Sequence, residues 1–218
     1  MNEQKLTRRP IKARDANWAA SIARGLARVG LRPNQISILS VVFAGLAAGS
    51  LALTPASPTH WQIILYVGAA ACIQLRLLCN LFDGMVAVEG GLKTKSGEIY
   101  NELPDRLSDA LVLVGAGYAF PAQPWTQPLG WAAAVLAVIT AYVRTLGAAA
   151  GTAQYFTGPM AKQQRMAIVT LACLATAIVL GFGRPIGFMS AALVIVAAGC
   201  PVTILRRTRR IIQELESK

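Results

Sequence analysis

Acidic residues are scarce in this chain, and they are not spread evenly. Of 218 residues only 10 are Asp or Glu, against 21 Lys or Arg, and charged residues of both signs make up 14%. With 55% hydrophobic residues and a mean hydropathy of +0.49, so little charge excludes an ordinary soluble domain and describes a single polytopic membrane domain. The four cysteines, Cys72, Cys79, Cys173 and Cys200, all lie within apolar runs and lack metal-ligand spacing. They read as small buried hydrophobes and imply no disulfide framework. The net charge of +11 comes without interleaved basic and aromatic residues or a recognisable binding module, so no nucleic-acid partner is expected. Nor is there an internal repeat or a pair of interrupted halves of the kind a transporter would show. The first fifteen residues are polar and basic, with no short apolar core behind them, so no cleavable signal peptide is expected.

What is present is a series of apolar runs. Six approach the roughly twenty residues that a bilayer requires: Gln35 to Leu53, Trp61 to Val88, Leu103 to Phe120, Leu129 to Ala150, Met166 to Phe182 and Ile186 to Leu205. Ahead of them, Ala16 to Val29 sets Trp18, Ile22, Leu26 and Val29 on one helical stripe, with Arg24 and Arg28 elsewhere on the turn. That pattern describes an amphipathic helix in the membrane interface, or equally one packed on the protein. The expected fold is therefore all-α and integral to the membrane, with six transmembrane helices and an N-terminal interfacial helix. A basic arm (residues 1–15) precedes the membrane domain (16–205), and a basic tail (206–218) follows as a short helix on anionic headgroups.

Lys and Arg populate alternate connections: the arm, the loop holding Lys93 and Lys95, the segment with Lys162 and Arg165, and the tail from Arg206 to Arg210. The intervening loops hold only Arg184. The positive-inside rule then places both termini on the cytoplasmic side, which needs an even number of spans. The expected location is a bacterial plasma membrane.

Six of the ten acidic residues fall between Asn80 and Asp109: Asp83, Glu89, Glu98, Glu102, Asp105 and Asp109. Carboxylates flanked by apolar spans are costly unless paired, hydrated or bound to metal, so they mark a functional site. On a helix, Asn80, Asp83, Gly84 and Ala87 share one face; after Gly97, Asn101, Asp105 and Asp109 form a second stripe. Two facing oxygen-bearing stripes suit a hard cation such as Mg²⁺ or Mn²⁺, and through it a phosphate-bearing substrate. The alternative is that the asparagines bridge helices while the carboxylates sit among headgroups. Arg76, inside the second run, must face the protein interior or an aqueous cavity, or pair with a nearby carboxylate. Arg144, inside the fourth, is well made for a bidentate grip on phosphate.

The run Asn80-x2-Asp83-Gly84-x2-Ala87-Val88-x8-Gly97-x3-Asn101-x3-Asp105 resembles the signature of the CDP-alcohol phosphatidyltransferases, Asp-x2-Asp-Gly-x2-Ala-Arg-x8-Gly-x3-Asp-x3-Asp. Every spacing matches; Asn80, Asn101 and Val88 stand in place of Asp, Asp and Arg. Pro33-Asn34-Gln35-Ile36-Ser37 is similar to the start of that family's first span, with Asn34 positioned to cap the helix. The likeness extends through Tyr142-Val143-Arg144 to Lys162 and Arg165. It implies transfer of a substituted phosphate from a CDP-linked lipid to an alcohol or phosphorylated alcohol, with release of CMP. In that reading Asp83, Asn80, Asn101 and Asp105 are metal ligands and Asp105 is also the general base. Asn34, Asn80, Gly84, Ala87 and Gly97 contact the nucleotide, and Arg144, Lys162 and Arg165 hold phosphates. Two carboxylates fewer leaves a pair of divalent cations poorly neutralised, so one cation, or a weak second, is expected. Asp109 lies about 12 Å along the axis from Asn101, too far for a direct ligand of the same cation. The resemblance also implies a homodimer, and the Gly45 to Gly49 spacing permits close helix contact. A protein of this fold that binds nucleotide or lipid without turnover is the alternative.

Overall fold

The computed structural model describes residues 17–92, 94, 96–119, 123–184 and 186–218. The basic arm, Lys93 and Lys95 lie outside them. Among the described residues seven α-helices follow one another: α1 (Asn17–Arg28), α2 (Pro33–Leu53), α3 (Thr59–Glu89), α4 (Gly97–Tyr118), α5 (Thr126–Ala149), α6 (Lys162–Gly181) and α7 (Met189–Glu216). A single 3₁₀ turn, Thr54–Ala56, follows α2, and no strand occurs among the described residues. Helices are what apolar runs must form where no water is present to satisfy backbone groups.

Five of the six expected spans are helices long and apolar enough to cross a bilayer: α2, α3, α5, α6 and α7. The third run forms α4, but this helix starts at Gly97 and so takes in Glu98, Glu102, Asp105, Arg106 and Asp109. It carries too much charge to stand as an apolar span by composition. The second difference lies at the C-terminus, where α7 continues unbroken through Arg206–Arg210 to Glu216. The residues after Leu205 are thus the last turns of a long helix rather than a separate one.

Helix starts and stops follow local chemistry. Gly30, at φ +83°, closes α1, and the Leu31 amide bonds back to the Leu26 carbonyl, satisfying a group the helix end would orphan. Pro33 then opens α2 at a position where its missing N–H costs nothing. The cap of α2 is Arg32, not Asn34; the Arg32 amide donates to Gln35 Oε1 at 2.9 Å, and Asn34 sits inside the first turn.

α1 buries Ala19 and Ala23 against Cys79, Phe82, Met85 and Val86 of α3, while Trp18, Ile22 and Val29 stay exposed. The α1 stripe is therefore split between a protein contact and a free apolar edge. In the main bundle α2 lies along both α3 and α4, α5 along α4 and α7, and α6 along α3. The core is built largely of Ala, Val, Leu and small residues that let backbones approach. Among the described residues, a Cβ on Gly45 or Gly49 would meet nothing within 4 Å; close contact is made instead by Gly115 against Ala48 and by Gly117 against Gly130. A Cβ on Gly115 would stand 2.5 Å from Ala48 Cα, which is backbone and cannot rotate away. Gly115→Ala is expected to force α2 and α4 apart at a cost of about 1–3 kcal/mol, the usual range for overpacking. Thermal unfolding of the reconstituted protein checks this; an unchanged transition would show that the helices separate freely there.

Candidate functional site

The start of α2, the end of α3, the start of α4, the end of α5, the start of α6 and the distal part of α7 border one cavity of about 1000 Å³. The two expected stripes meet in it: Asn80, Asp83, Gly84, Ala87 and Val88 from α3, and Gly97, Asn101, Asp105 and Asp109 from α4. Asn34, Arg144, Lys162 and Arg165 line it as well, so every candidate site residue comes to the same place.

α3 and α4 face each other through polar rungs at four-residue steps. Arg76 Nη2 pairs with Asp109 Oδ1 at 2.5 Å, and one turn away Asn80 Nδ2 donates to Asp105 Oδ1. The rungs run in opposite chain directions, as antiparallel helices require. Asp105 Oδ2 accepts from Lys162 Nζ at 2.6 Å, and Arg76 Nη2 lies 3.9 Å from Asp105 Oδ1. Asp109 Oδ2 accepts from Arg165 Nη2 at 2.5 Å, so this buried carboxylate is clamped between two guanidiniums. Asp83 belongs to neither cluster. Its Oδ2 accepts from Ser37 Oγ of α2 at 2.7 Å, and its Oδ1 from the Gly84 amide at 2.5 Å.

Arg76 thus meets its expected carboxylate. It is fully buried, and its Nε and Nη1 find no acceptor among the described residues, which makes Asp109 its principal counterion. Asp105 and Asp109 face three cations, Arg76, Lys162 and Arg165, while Asp83 is held apart by Ser37 and the Gly84 amide.

At the cavity's outer side Arg144 Nη2 reaches both oxygens of Glu102 at 2.6 Å, while Arg106 pairs with Glu102 from one turn along α4. The Arg144 guanidinium lies over the Phe156 ring at 4.9 Å, a cation–π contact. Phe156 comes from the segment between α5 and α6, which α7 ties down. Arg207 donates from Nε to the Thr157 carbonyl at 2.9 Å and from Nη1 to the Thr140 carbonyl at 2.5 Å. Glu214 accepts from the Ala153 amide at 3.1 Å and from the Tyr155 hydroxyl at 2.7 Å, and the latter bond raises the Tyr155 pKa above its ordinary value.

Phe156, Arg106 and Arg207 are cavity residues that sequence reasoning missed. Arg106 carried a usable signal, standing four residues after Glu102 on a helix. Arg207 did not: it is one of four arginines in the basic run, and only packing separates this buried one from exposed Arg206, Arg209 and Arg210.

Among solved structures, phosphatidylinositol phosphate synthase of Mycobacterium tuberculosis with CDP-DAG bound superposes with a TM-score of 0.70, covering 90% of this chain and 94% of that one at 23% identity. The same enzyme in complex with manganese and citrate gives 0.70 over 88% of each chain. The chain therefore shares its fold with these solved structures. In sequence, phosphatidylinositol phosphate synthase of M. tuberculosis is 35% identical over 104 residues, and that of M. marinum 33% over 94. These stretches take in 48% and 43% of this chain but only 44% and 36% of the relatives, so the chain spans less than half the length of the curated relatives it matches. No protein-family model matches the chain.

The manganese in that second structure raises the question of a divalent cation here. Asp83 and Asp105 with the amide oxygens of Asn80 and Asn101 offer hard oxygen donors to one cavity, and such donors suit Mg²⁺ or Mn²⁺. Among the described residues, however, no group of three or more His, Cys, Asp or Glu is gathered to hold a metal. Asn80 Nδ2 donates a hydrogen bond to Asp105 Oδ1 where a second carboxylate would need a cation between them. Two carboxylates with two neutral amides match the charge of a single divalent cation.

Proposed function

We propose that this chain is a membrane-embedded transferase that moves a substituted phosphate from a CDP-linked lipid to an alcohol and releases CMP, in phospholipid biosynthesis. The observation that carries the reading is the meeting of Asp83, Asp105, Lys162, Arg144 and Arg165 in one cavity at aligned helix ends. Three helix N-termini, those of α2, α4 and α6, border it and favour anions. The mycobacterial relatives of similar sequence are phosphatidylinositol phosphate synthases, which supports a diacylglycerol-bearing donor and inositol phosphate as the first acceptor to try.

In this mechanism Asp105 is the general base. The acceptor hydroxyl takes the place of Lys162 at Oδ2 and gives up its proton there, while Asn80 holds Oδ1 and fixes the carboxylate plane. Lys162, once displaced, turns to phosphate as a point charge. Asp83 and Asp105, with the Asn80 and Asn101 amides, would hold one Mg²⁺ or Mn²⁺, which when bound supplies charge neutralisation at the pyrophosphate. Asn34, Gly84, Ala87 and Gly97 lie where close backbone approach suits the nucleotide, and Arg144 and Arg165 take phosphate oxygens. Six spans complete the topology, with α4 as the sixth. It lies along α2 and α5, and its charged half is at the cavity while Ala110–Tyr118 is apolar. Both termini and the cavity then face the cytoplasm of a bacterium, and a second copy completes a homodimer.

The test is CMP release by the full chain in lipid bilayers, given CDP-diacylglycerol and a panel of alcohols and phosphorylated alcohols, with and without Mg²⁺ or Mn²⁺. Release that needs both an alcohol and a cation is expected. Nucleotide binding without release would favour a non-catalytic binding protein, a reading that gains weight from the engagement of both Asp105 oxygens. Titration with Mn²⁺ should find one tight site in the native chain and a second after Asn80→Asp with Asn101→Asp; two tight sites in the native chain would contradict this assignment.

A further inference from the structure

Glu102 stands among cations in a way that the transfer chemistry does not require. It projects from the first turns of α4 into the cavity mouth, partly exposed, with both oxygens on Arg144 and one on Arg106. Arg144 itself is fixed from behind, because its guanidinium rests on Phe156 and that segment is anchored by Arg207 and Glu214 on α7. The arginine is thus held in place by packing, while the carboxylate reaches it through a flexible side chain. Glu102 also has a second partner four residues away on its own helix. If it swings off Arg144 it keeps Arg106, so the carboxylate is not left bare when another anion takes Arg144.

From this we infer that Glu102 is an internal surrogate anion: it occupies the Arg144 fork until a phosphate monoester displaces it, and so sets how tightly the site takes a phosphorylated acceptor. A carboxylate and a phosphate present the same pair of acceptor oxygens to a guanidinium, but a phosphate monoester carries more charge and wins the exchange. A neutral alcohol cannot displace Glu102. The internal carboxylate therefore discriminates phosphorylated from unphosphorylated acceptors by competition as well as by attraction. Two guanidiniums against one carboxylate leave one positive charge in surplus, which draws the anion in before the exchange.

The inference rests on the proposed function only in taking a phosphate monoester as ligand, and its test involves no turnover. Binding of glycerol 3-phosphate, inorganic phosphate, CMP and neutral glycerol to the full chain in phosphatidylcholine nanodiscs is measured by calorimetry. Glu102→Gln is expected to tighten glycerol 3-phosphate and inorganic phosphate about threefold to fivefold, the scale of one partly exposed ion pair, while CMP, also a phosphate monoester but seated by its cytidine at the nucleotide positions, moves less than about twofold. Arg144→Gln should weaken the same two ligands, and in the double variant the effect of Glu102→Gln should vanish. Glu102→Asp, which keeps the charge but shortens the reach, should tighten binding in the same direction and guards against misfolding of the amide variant. Unchanged or weaker phosphate binding in both Glu102 variants would overturn the inference and leave Glu102 as a fixed counterion that merely orders Arg144. Tightening confined to CMP would also overturn it, since the exchange would then concern the donor nucleotide. A chain that behaves as expected here yet releases no CMP would refute the transferase and leave the surrogate anion standing.

Discussion

Asp105→Asn is expected to lower the rate of CMP release by about 10²- to 10⁴-fold, the contribution of a positioned general base. The substitution is nearly isosteric. Its amide oxygen can still accept from Asn80 Nδ2, so the rung between α3 and α4 survives and the fold should persist. What disappears is a group able to take the acceptor's proton. Binding of CMP and of the donor lipid should therefore change little while kcat falls. Lys162 loses its carboxylate partner in the same variant, so Lys162→Met serves as the comparison: it should raise KM for the acceptor more than it lowers kcat. A loss of less than about tenfold in Asp105→Asn would remove Asp105 as the base and direct attention to Asp83, the buried cavity carboxylate held by Ser37 and the Gly84 amide.

The largest effect on stability is expected one turn deeper, at Asp109. Its two oxygens are divided between Arg76 and Arg165 at 2.5 Å each, and all three side chains are almost wholly buried. Asp109→Leu leaves two guanidiniums side by side without their shared anion. Breaking a buried pair costs about 3–5 kcal/mol, because the desolvated charge left behind is uncompensated. Arg76 has no good substitute partner: Asp105 lies 3.9 Å away and is already engaged by Lys162. Little folded protein should be recovered, and what is recovered should unfold well below the native transition. Adding Arg76→Met to Asp109→Leu removes one of the two stranded charges and should restore part of the loss. A single variant as stable as the native chain would show that water reaches the pair and that the clamp contributes little.

Much of the site was legible because helical periodicity and the cost of charge in apolar surroundings are local properties. Asn80, Asp83, Gly84 and Ala87 share a face whatever the tertiary arrangement, and so do Asn101, Asp105 and Asp109. A carboxylate between apolar runs has few fates, and pairing with Arg76 was among those named. The limits of α4 were less legible. The apolar count begins near Leu103, whereas the helix begins at Gly97, since helix formation tolerates the charged first turns that hydropathy excludes.

The sequence by itself determined that this protein is helical, that it belongs in a membrane, and that its acidic residues cluster between two helical stripes. These conclusions follow from composition and spacing along one chain, which any packing must respect. Tertiary structure decided the pairings: Lys162 with Asp105, Arg165 with Asp109, Glu102 with Arg144, and Arg207 alone of its neighbours turned inward against Thr140 and Thr157. Each joins residues tens of positions apart, on different helices or, for Thr157, on the segment before α6, and which cation meets which carboxylate depends on helix rotation and depth. Close approaches such as Gly115 on Ala48 set those quantities, and no periodicity within a single helix encodes them.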